Sequence, residues 1–278
     1  MPRLPRPDGA EIHWEQRGDG PLVALASYWS GHPEVYSGLL SELARDHRVL
    51  TYHARGTGES TRAGPYDAPT DCGDLAALLA EAGGSATVLA VADGTNRAVR
   101  LATERPDLAA KVIAVGTPPF KRENFAGGEG MIGSDSVVEA FLTMVERDYR
   151  GALRTLLAAT NPQMTEEELS DRVQFQTQFC EPEAASGRLQ AWLNDDPVES
   201  ARGLGDRLWV MWASNVAGPW LPPGEKVSDL IPRLFPEANV AHFETGPVSD
   251  PHGAARIVRA ATATATATAS RATPAQST

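Results

Sequence analysis

Short apolar runs and amphipathic stretches alternate along the first part of this chain. Leu22-Val23-Ala24-Leu25-Ala26 reads as a buried strand and Arg48-Val49-Leu50-Thr51-Tyr52 as the next. A third run, Val88-Leu89-Ala90-Val91, turns at Ala92-Asp93-Gly94, and Lys111-Val112-Ile113-Ala114-Val115-Gly116 follows as a fourth. Helical spacing predicts helices from Tyr36 to Ala44, from Asp74 to Ala82, and beyond Gly94, where Ala98, Val99, Leu101 and Ala102 share a face. From about Phe120 to Gly205 the strand pattern stops. Ser136 to Arg147 and Arg150 to Thr160 read as amphipathic helices, Thr165 with Glu168 has the residue types of a helix start, and Leu189 to Leu193 continues the helical character. Strands return at Leu208-Trp209-Val210-Met211-Trp212 and Asn239-Val240-Ala241-His242-Phe243.

Buried strands separated by helices predict an α/β fold with a doubly wound, mostly parallel sheet. A helical insertion late in such a sheet predicts a cap over the strands' C-terminal ends, where open α/β folds bind ligands. The expected division is an α/β core in 1–119 and 206–260, a helical cap in 120–205, and a tail in 261–278. That Ala/Thr-rich tail has almost no large apolar side chain to bury and reads as disordered.

With 278 residues, 42% hydrophobic and 22% charged, the chain can bury a sizeable core. A net charge of −11 disfavours nucleic acid as a partner. No stretch approaches the roughly 20 continuous apolar residues of a membrane helix. The Pro- and Arg-rich start, Met1 to Pro7, lacks the apolar centre of a signal peptide, so the expected location is cytoplasmic. Cys72 and Cys180, far apart in sequence, read as free thiols. Arg55-Gly56-Thr57-Gly58 has the spacing of neither a P-loop nor a dinucleotide fingerprint. The acidic pair Asp195-Asp196 and the run Glu166-Glu167-Glu168 have no histidine beside them and read as surface charge, as Arg97 and Arg100 do. Neither a cofactor nor a metal is expected; the expected partner is a small molecule.

Three patches, in order and spacing, resemble the α/β-hydrolase fold. Tyr52-His53-Ala54-Arg55-Gly56-Thr57-Gly58-Glu59-Ser60 resembles its Arg-Gly-x-Gly-x-Ser turn. Ala90-Val91-Ala92-Asp93-Gly94, followed by Glu104-Arg105-Pro106-Asp107, resembles its nucleophile elbow and the helix behind it. Val115-Gly116-Thr117-Pro118-Pro119 resembles the strand end where a cap is inserted. The resemblance runs from about residue 8 to 260 and implies a Ser-His-Asp triad, whose positions here are filled otherwise. Ala92 stands where the elbow serine is expected, about fourteen positions before Pro106. A one-residue slip would instead make Asp93 the nucleophile. The loop where the acid is expected, Ala213 to Trp220, holds Asn215 and no carboxylate, and Pro247 stands at the histidine position.

Candidate chemistry therefore rests on Asp93, as acid, base or simple helix cap, and on His252, as a displaced base or a solvent-facing residue of the last helix. His53 and His242 read as structural histidines. The resemblance implies an oxyanion site from the backbone N–H groups of Trp29 and Asp93. Tyr28, Trp29, Asn96, Asn215 and Trp220 are candidate substrate contacts. Three functions are compatible with this set. The first is a cyclase, lyase, dehydratase or isomerase acting on a small apolar metabolite, a role in which triad-less relatives occur, natural-product biosynthesis included. The second is an ester or epoxide hydrolase using Asp93, and the third an inactive small-molecule binder.

Overall fold

A computed structural model describes residues 2–116, 118–119, 135–213, 227–243 and 246–271. The strands are β1 (Arg3–Pro5), β2 (Glu11–Arg17), β3 (Leu22–Ala26), β4 (Arg48–Tyr52), β5 (Ala86–Val91), β6 (Ala109–Val115), β7 (Leu208–Ala213) and β8 (Asn239–Phe243). They form one sheet in the order β1-β2-β4-β3-β5-β6-β7-β8. From β4 to β8 every pairing is parallel, while β1 and β2 are antiparallel additions at one edge. Those two strands escape the sequence pattern because β2 is an outer strand of polar composition, burying only Ile12 and His13.

Around the sheet lie α1 (Ser37–Leu43), α2 (Ala68–Glu81), α3 (Asp93–Glu104), α9 (Val227–Leu234) and α10 (Pro251–Arg271). Between β6 and β7 the chain forms α4 (Asp135–Arg147), α5 (Tyr149–Thr160), α6 (Glu166–Phe179), α7 (Pro182–Leu193) and α8 (Val198–Gly203). Thr165 opens α6 with a capping box: its hydroxyl accepts from the Glu168 N–H while the Glu168 carboxylate accepts from the Thr165 N–H.

Period-two alternation divides the core between the two faces of the sheet. Val88 and Ala90 join the larger apolar cluster with Leu75, Leu78, Val99 and Leu101. Leu89 and Val91 join the other, with Leu39, Leu43, Ala254 and Val258.

One expectation is corrected here. Residues 261–271, read as disordered, continue α10, with only 272–278 outside the described residues. Alanine is the strongest helix former, and the first turn of this stretch is anchored. Ala261 is fully buried and its carbonyl accepts from Lys111 Nζ, while the Thr262 hydroxyl lies 2.9 Å from His47 Nε2.

The junction of β5 and α3 is the tightest point of the fold. Ala92 has φ 49° and ψ −119°, a conformation that costs a residue with a Cβ about 1–3 kcal/mol. Two residues on, a Cβ on Gly94 would stand 2.3 Å from the Ala26 carbonyl oxygen. Glycine there lets α3 start directly against the end of β3. Opposite effects follow on urea unfolding. Ala92→Gly should raise stability by about 1 kcal/mol, and Gly94→Ala should lower it by about 2 kcal/mol or more.

Candidate active-site pocket

A pocket of about 220 Å³ opens at the C-terminal ends of the parallel strands. Its floor is Val91 and Ala92 after β5 with Val115 and Gly116 at the end of β6. Tyr28 and Trp29, from the loop after β3, form one wall, and Gly246 to Ser249, after β8, form another. Leu153, Leu156 and Leu157 of α5, Arg172 of α6 and Trp192 of α7 cover it. The lining is mainly apolar, and the volume lies below the roughly 300 Å³ at which pockets for drug-sized ligands begin.

The elbow register is set by geometry. Ala92 is the positive-φ residue between strand and helix, and the Thr95 N–H bonds back to its carbonyl at 2.9 Å. Ala92 and Pro247, expected from the sequence at the serine and histidine positions, line the same pocket, where they present a methyl group and a pyrrolidine ring.

Asp93 does not line that pocket. It is the first residue of α3, with Ala92 as the N-cap, so the cap role expected of it falls elsewhere. Its carboxylate turns into a buried ionic cluster, where Arg97 Nη1 lies 2.6 Å from Asp93 Oδ2 and 3.1 Å from Asp71 Oδ2. Arg97 Nη2 donates to the Ser27 carbonyl at 2.5 Å. Arg188, on α7, donates through Nε to Asp71 at 2.8 Å and through Nη2 to the Arg55 carbonyl. Arg97, expected at the surface, is therefore a buried hub, because Asp71 on α2 and Asp93 one turn back on α3 both need a cation.

Burial pushes the Asp93 carboxyl up to about 6 against the pull of Arg97 and Arg188. Burial also opposes the Asp71 charge, but Arg188 and Arg97 together hold that carboxyl below its ordinary value. The Trp29 backbone N–H acts on the Asp93 carboxylate and favours its charged form. Asp93 Oδ1 itself has no hydrogen-bond partner among the described residues.

The other candidates separate. Tyr28 and Trp29 reach the pocket; the Trp29 indole is buried with Phe141 edge-on at 6.5 Å. Asn96 lies in a void of about 10 Å³ beside Asp93, Arg97 and Arg188, and neither of its amide atoms has a hydrogen-bond partner among the described residues. His252 is at the surface, three-quarters exposed, with Nδ1 3.4 Å from Glu42 Oε2, which removes it as a displaced base. Asn215 and Trp220 fall outside the described residues. His53 Nδ1 accepts from the Glu59 N–H and braces the 53–60 turn, while the His242 ring packs tilted against Trp212, centroids 4.5 Å apart.

Sequence reasoning missed Arg172, Tyr36 and Trp192. A helical reading of 166–179 places Arg172 and Gln176 one turn apart, the signal by which Arg172 could have been found. Gln176, fully buried, donates its Nε2 hydrogen to Tyr28 Oη at 2.5 Å. Burial raises the Tyr28 hydroxyl to about 12, so it stays protonated at neutral pH. Among the described residues there is no cluster of metal-ligating side chains and no helix long and apolar enough to cross a membrane.

No family model matches the chain. Among solved structures it is similar to a bromoperoxidase from Bacillus anthracis, with TM-score 0.76 and 18% identity over 91% of this chain and 95% of that one. A pimeloyl-[acyl-carrier protein] methyl ester esterase of Nitrosomonas europaea is 26% identical over 152 residues, 53% of this chain. A RutD protein of Pseudomonas savastanoi pv. phaseolicola, a carbamate hydrolase by name, is 43% identical over 61 residues, 22% of this chain. The matched stretches span 57% and 22% of those two relatives. Fold, topology and these likenesses agree: the chain has the α/β-hydrolase fold.

The ionic cluster has a measurable pH signature. Because Asp93 binds its proton more tightly folded than unfolded, its contribution to stability is full below about pH 4 and is lost as pH rises towards 6. Urea titrations at pH 4.5 and 7 should show this loss, roughly 1–3 kcal/mol, and Asp93→Asn should flatten it. Arg97→Met, which leaves two buried carboxylates with Arg188 alone, should cost about 3–5 kcal/mol at pH 7.

Proposed function

We propose that this α/β-hydrolase-fold protein acts on a small, largely apolar metabolite without a serine nucleophile. Its chemistry is then of the cyclase, lyase, dehydratase or isomerase type. The observation that carries this reading is the pairing of Ala92 at the elbow apex with Pro247 across the same pocket. A methyl group cannot attack a carbonyl carbon, and a proline ring cannot take a proton from a nucleophile. The degenerate triad thus leaves a shaped, apolar cavity over the elbow.

Within that cavity Tyr28 is the group suited to activate a substrate. Its oxygen already accepts a hydrogen from Gln176, so its own proton is free to be donated to a carbonyl or enolate oxygen of the ligand. In low-dielectric surroundings such a donor stabilises developing negative charge, while the apolar walls hold the reacting atoms in place. Asp93 takes part indirectly, by locking Arg97 and the Ser27 carbonyl behind the Tyr28 loop.

A second reading is favoured by one observation: Asp93 sits beside the elbow with its carboxyl raised to about 6, and the relatives named above include an esterase and a carbamate hydrolase by name. In it, the protein is a hydrolase that swings Asp93 from Arg97 into the pocket as nucleophile or water-activating base.

Mass spectrometry distinguishes them. Incubated with a library of small apolar metabolites, the wild-type protein should convert its substrate without gain of water and form no adduct with a fluorophosphonate. Tyr28→Phe should lower the rate about 100-fold with the fold intact. Hydrolytic products abolished by Asp93→Asn would establish the second reading, and retention without conversion would leave only a binding protein. The elbow itself is tested by Ala92→Ser. Alone it should remain unlabelled by the phosphonate, for want of a base; with Pro247→His it should label measurably.

A further inference from the structure

The three buried arginines among the described residues, Arg55, Arg97 and Arg188, are matched to carboxylates. Arg55 pairs with Asp74 and Asp8, Arg97 with Asp71 and Asp93, and Arg188 with Asp71. Arg172 breaks the pattern. It is half-buried, lines the pocket over Ala92, and forms no ion pair or hydrogen bond among the described residues. Its neighbours on α6 do not neutralise it. Glu168, one turn earlier, is held by Thr165 in the capping box, and Asp171 is exposed. The guanidinium acts electrostatically on the hydroxyls of both Tyr28 and Tyr36, whose own burial raises their pKa values. Its positive charge is therefore felt inside the pocket, beside the group that faces the ligand.

The remaining lining explains what such a cation is for. Leu153, Leu156, Leu157, Val115 and Trp192 offer no anion, and Arg97 and Arg188 lie in the separate buried cluster. A guanidinium at the rim of an apolar cavity is poorly hydrated and presents a planar fork of N–H donors, the geometry that a carboxylate satisfies with two parallel hydrogen bonds. A chain with net charge −11 repels small anions at long range, so an anion that binds must meet a specific cation.

We propose that the pocket takes an apolar carboxylic acid, with its carboxylate on Arg172 and its hydrocarbon body over Ala92 and under α5. The inference rests on the reading of the Ala92 pocket as the ligand site and names the class of molecule that enters it. Arg172 is then a specificity-determining residue. It fixes one end of the ligand so that the other end lies along the elbow, within the region that Tyr28 shares.

Binding, measured without turnover, tests this. Four acids (phenylacetate, 3-phenylpropanoate, hexanoate and octanoate) and their four primary amides are titrated at pH 7 by calorimetry and by tryptophan fluorescence. The acids should bind roughly tenfold more tightly than their amides to the wild type. Arg172→Gln should bring each acid down to within about twofold of its amide while leaving amide affinity and the thermal midpoint unchanged; Arg172→Lys should keep part of the preference. Amides that bind as well as acids, or a preference that survives Arg172→Gln, would overturn the assignment of Arg172 while leaving the pocket as a ligand site. Failure of every acid and every amide to bind the wild type would overturn both.

Discussion

The placement of the elbow helix depends on one buried cluster, in which two carboxylates, Asp71 and Asp93, face two guanidiniums, Arg97 and Arg188. Arg97 is the hub: it touches α2 through Asp71, its own helix through Asp93, and the end of β3 through the Ser27 carbonyl. Arg188 extends the cluster to α7 and, through the Arg55 carbonyl, to the turn after β4. Four parts of the fold that are remote in sequence are thereby fixed relative to the end of β5. Removing one partner from such a set leaves a buried charge uncompensated, so the cluster is conditional on all its members.

The same cluster decides what the pocket can do. Asp93 is next to the elbow apex in sequence, yet its carboxylate is held by Arg97 and does not line the cavity. The polar groups that line the cavity come from the β3 loop, from α6, from the stretch between α5 and α6 and from the loop after β8. Tyr28 is one of them, oriented by Gln176, and Arg172 is another, one turn before Gln176 on the same helix. The cavity is thus lined jointly by the sheet's loops and by the helices inserted after β6.

Much of the fold was legible in the chain because its signals are local. Each parallel strand lies within a residue or two of its apolar run, and Thr165 with Glu168 marks the start of α6 by residue types alone. The elbow was legible for the same reason, since a run of small and β-branched residues ending at Gly94 has few alternatives. The site was less legible because its partners are distant. Nothing near Arg97 in sequence shows that Asp71, 26 positions earlier, lies against it, so a polar side of α3 read as solvent-facing. Gln176 and Tyr28 are 148 positions apart and meet only because α6 lies over the β3 loop. The Ala/Thr stretch after residue 260 failed for a different reason: composition without large apolar residues matches disorder, yet one buried turn suffices to extend a helix whose residues favour it.

An elbow with a strained apex is usually explained by the nucleophile it presents, and here the strain persists at an alanine. The architecture supplies a reason. Parallel pairing brings Ala26 opposite Ala90 and Val91 opposite Val115, so α3 must begin within contact of the β3 carbonyls. Gly94 permits that approach, and only a reversal as sharp as φ 49°, ψ −119° at Ala92 brings Gly94 there. The turn is a packing requirement of β3, β5 and α3 that survives whatever side chain stands at its apex. A fold that keeps the turn for packing is free to change the chemistry above it, because the cavity over Ala92 is shaped by the strand ends and the covering helices. What the apex methyl contributes is then space and an apolar floor, while the Tyr28 hydroxyl and the Arg172 guanidinium belong to the lining around it.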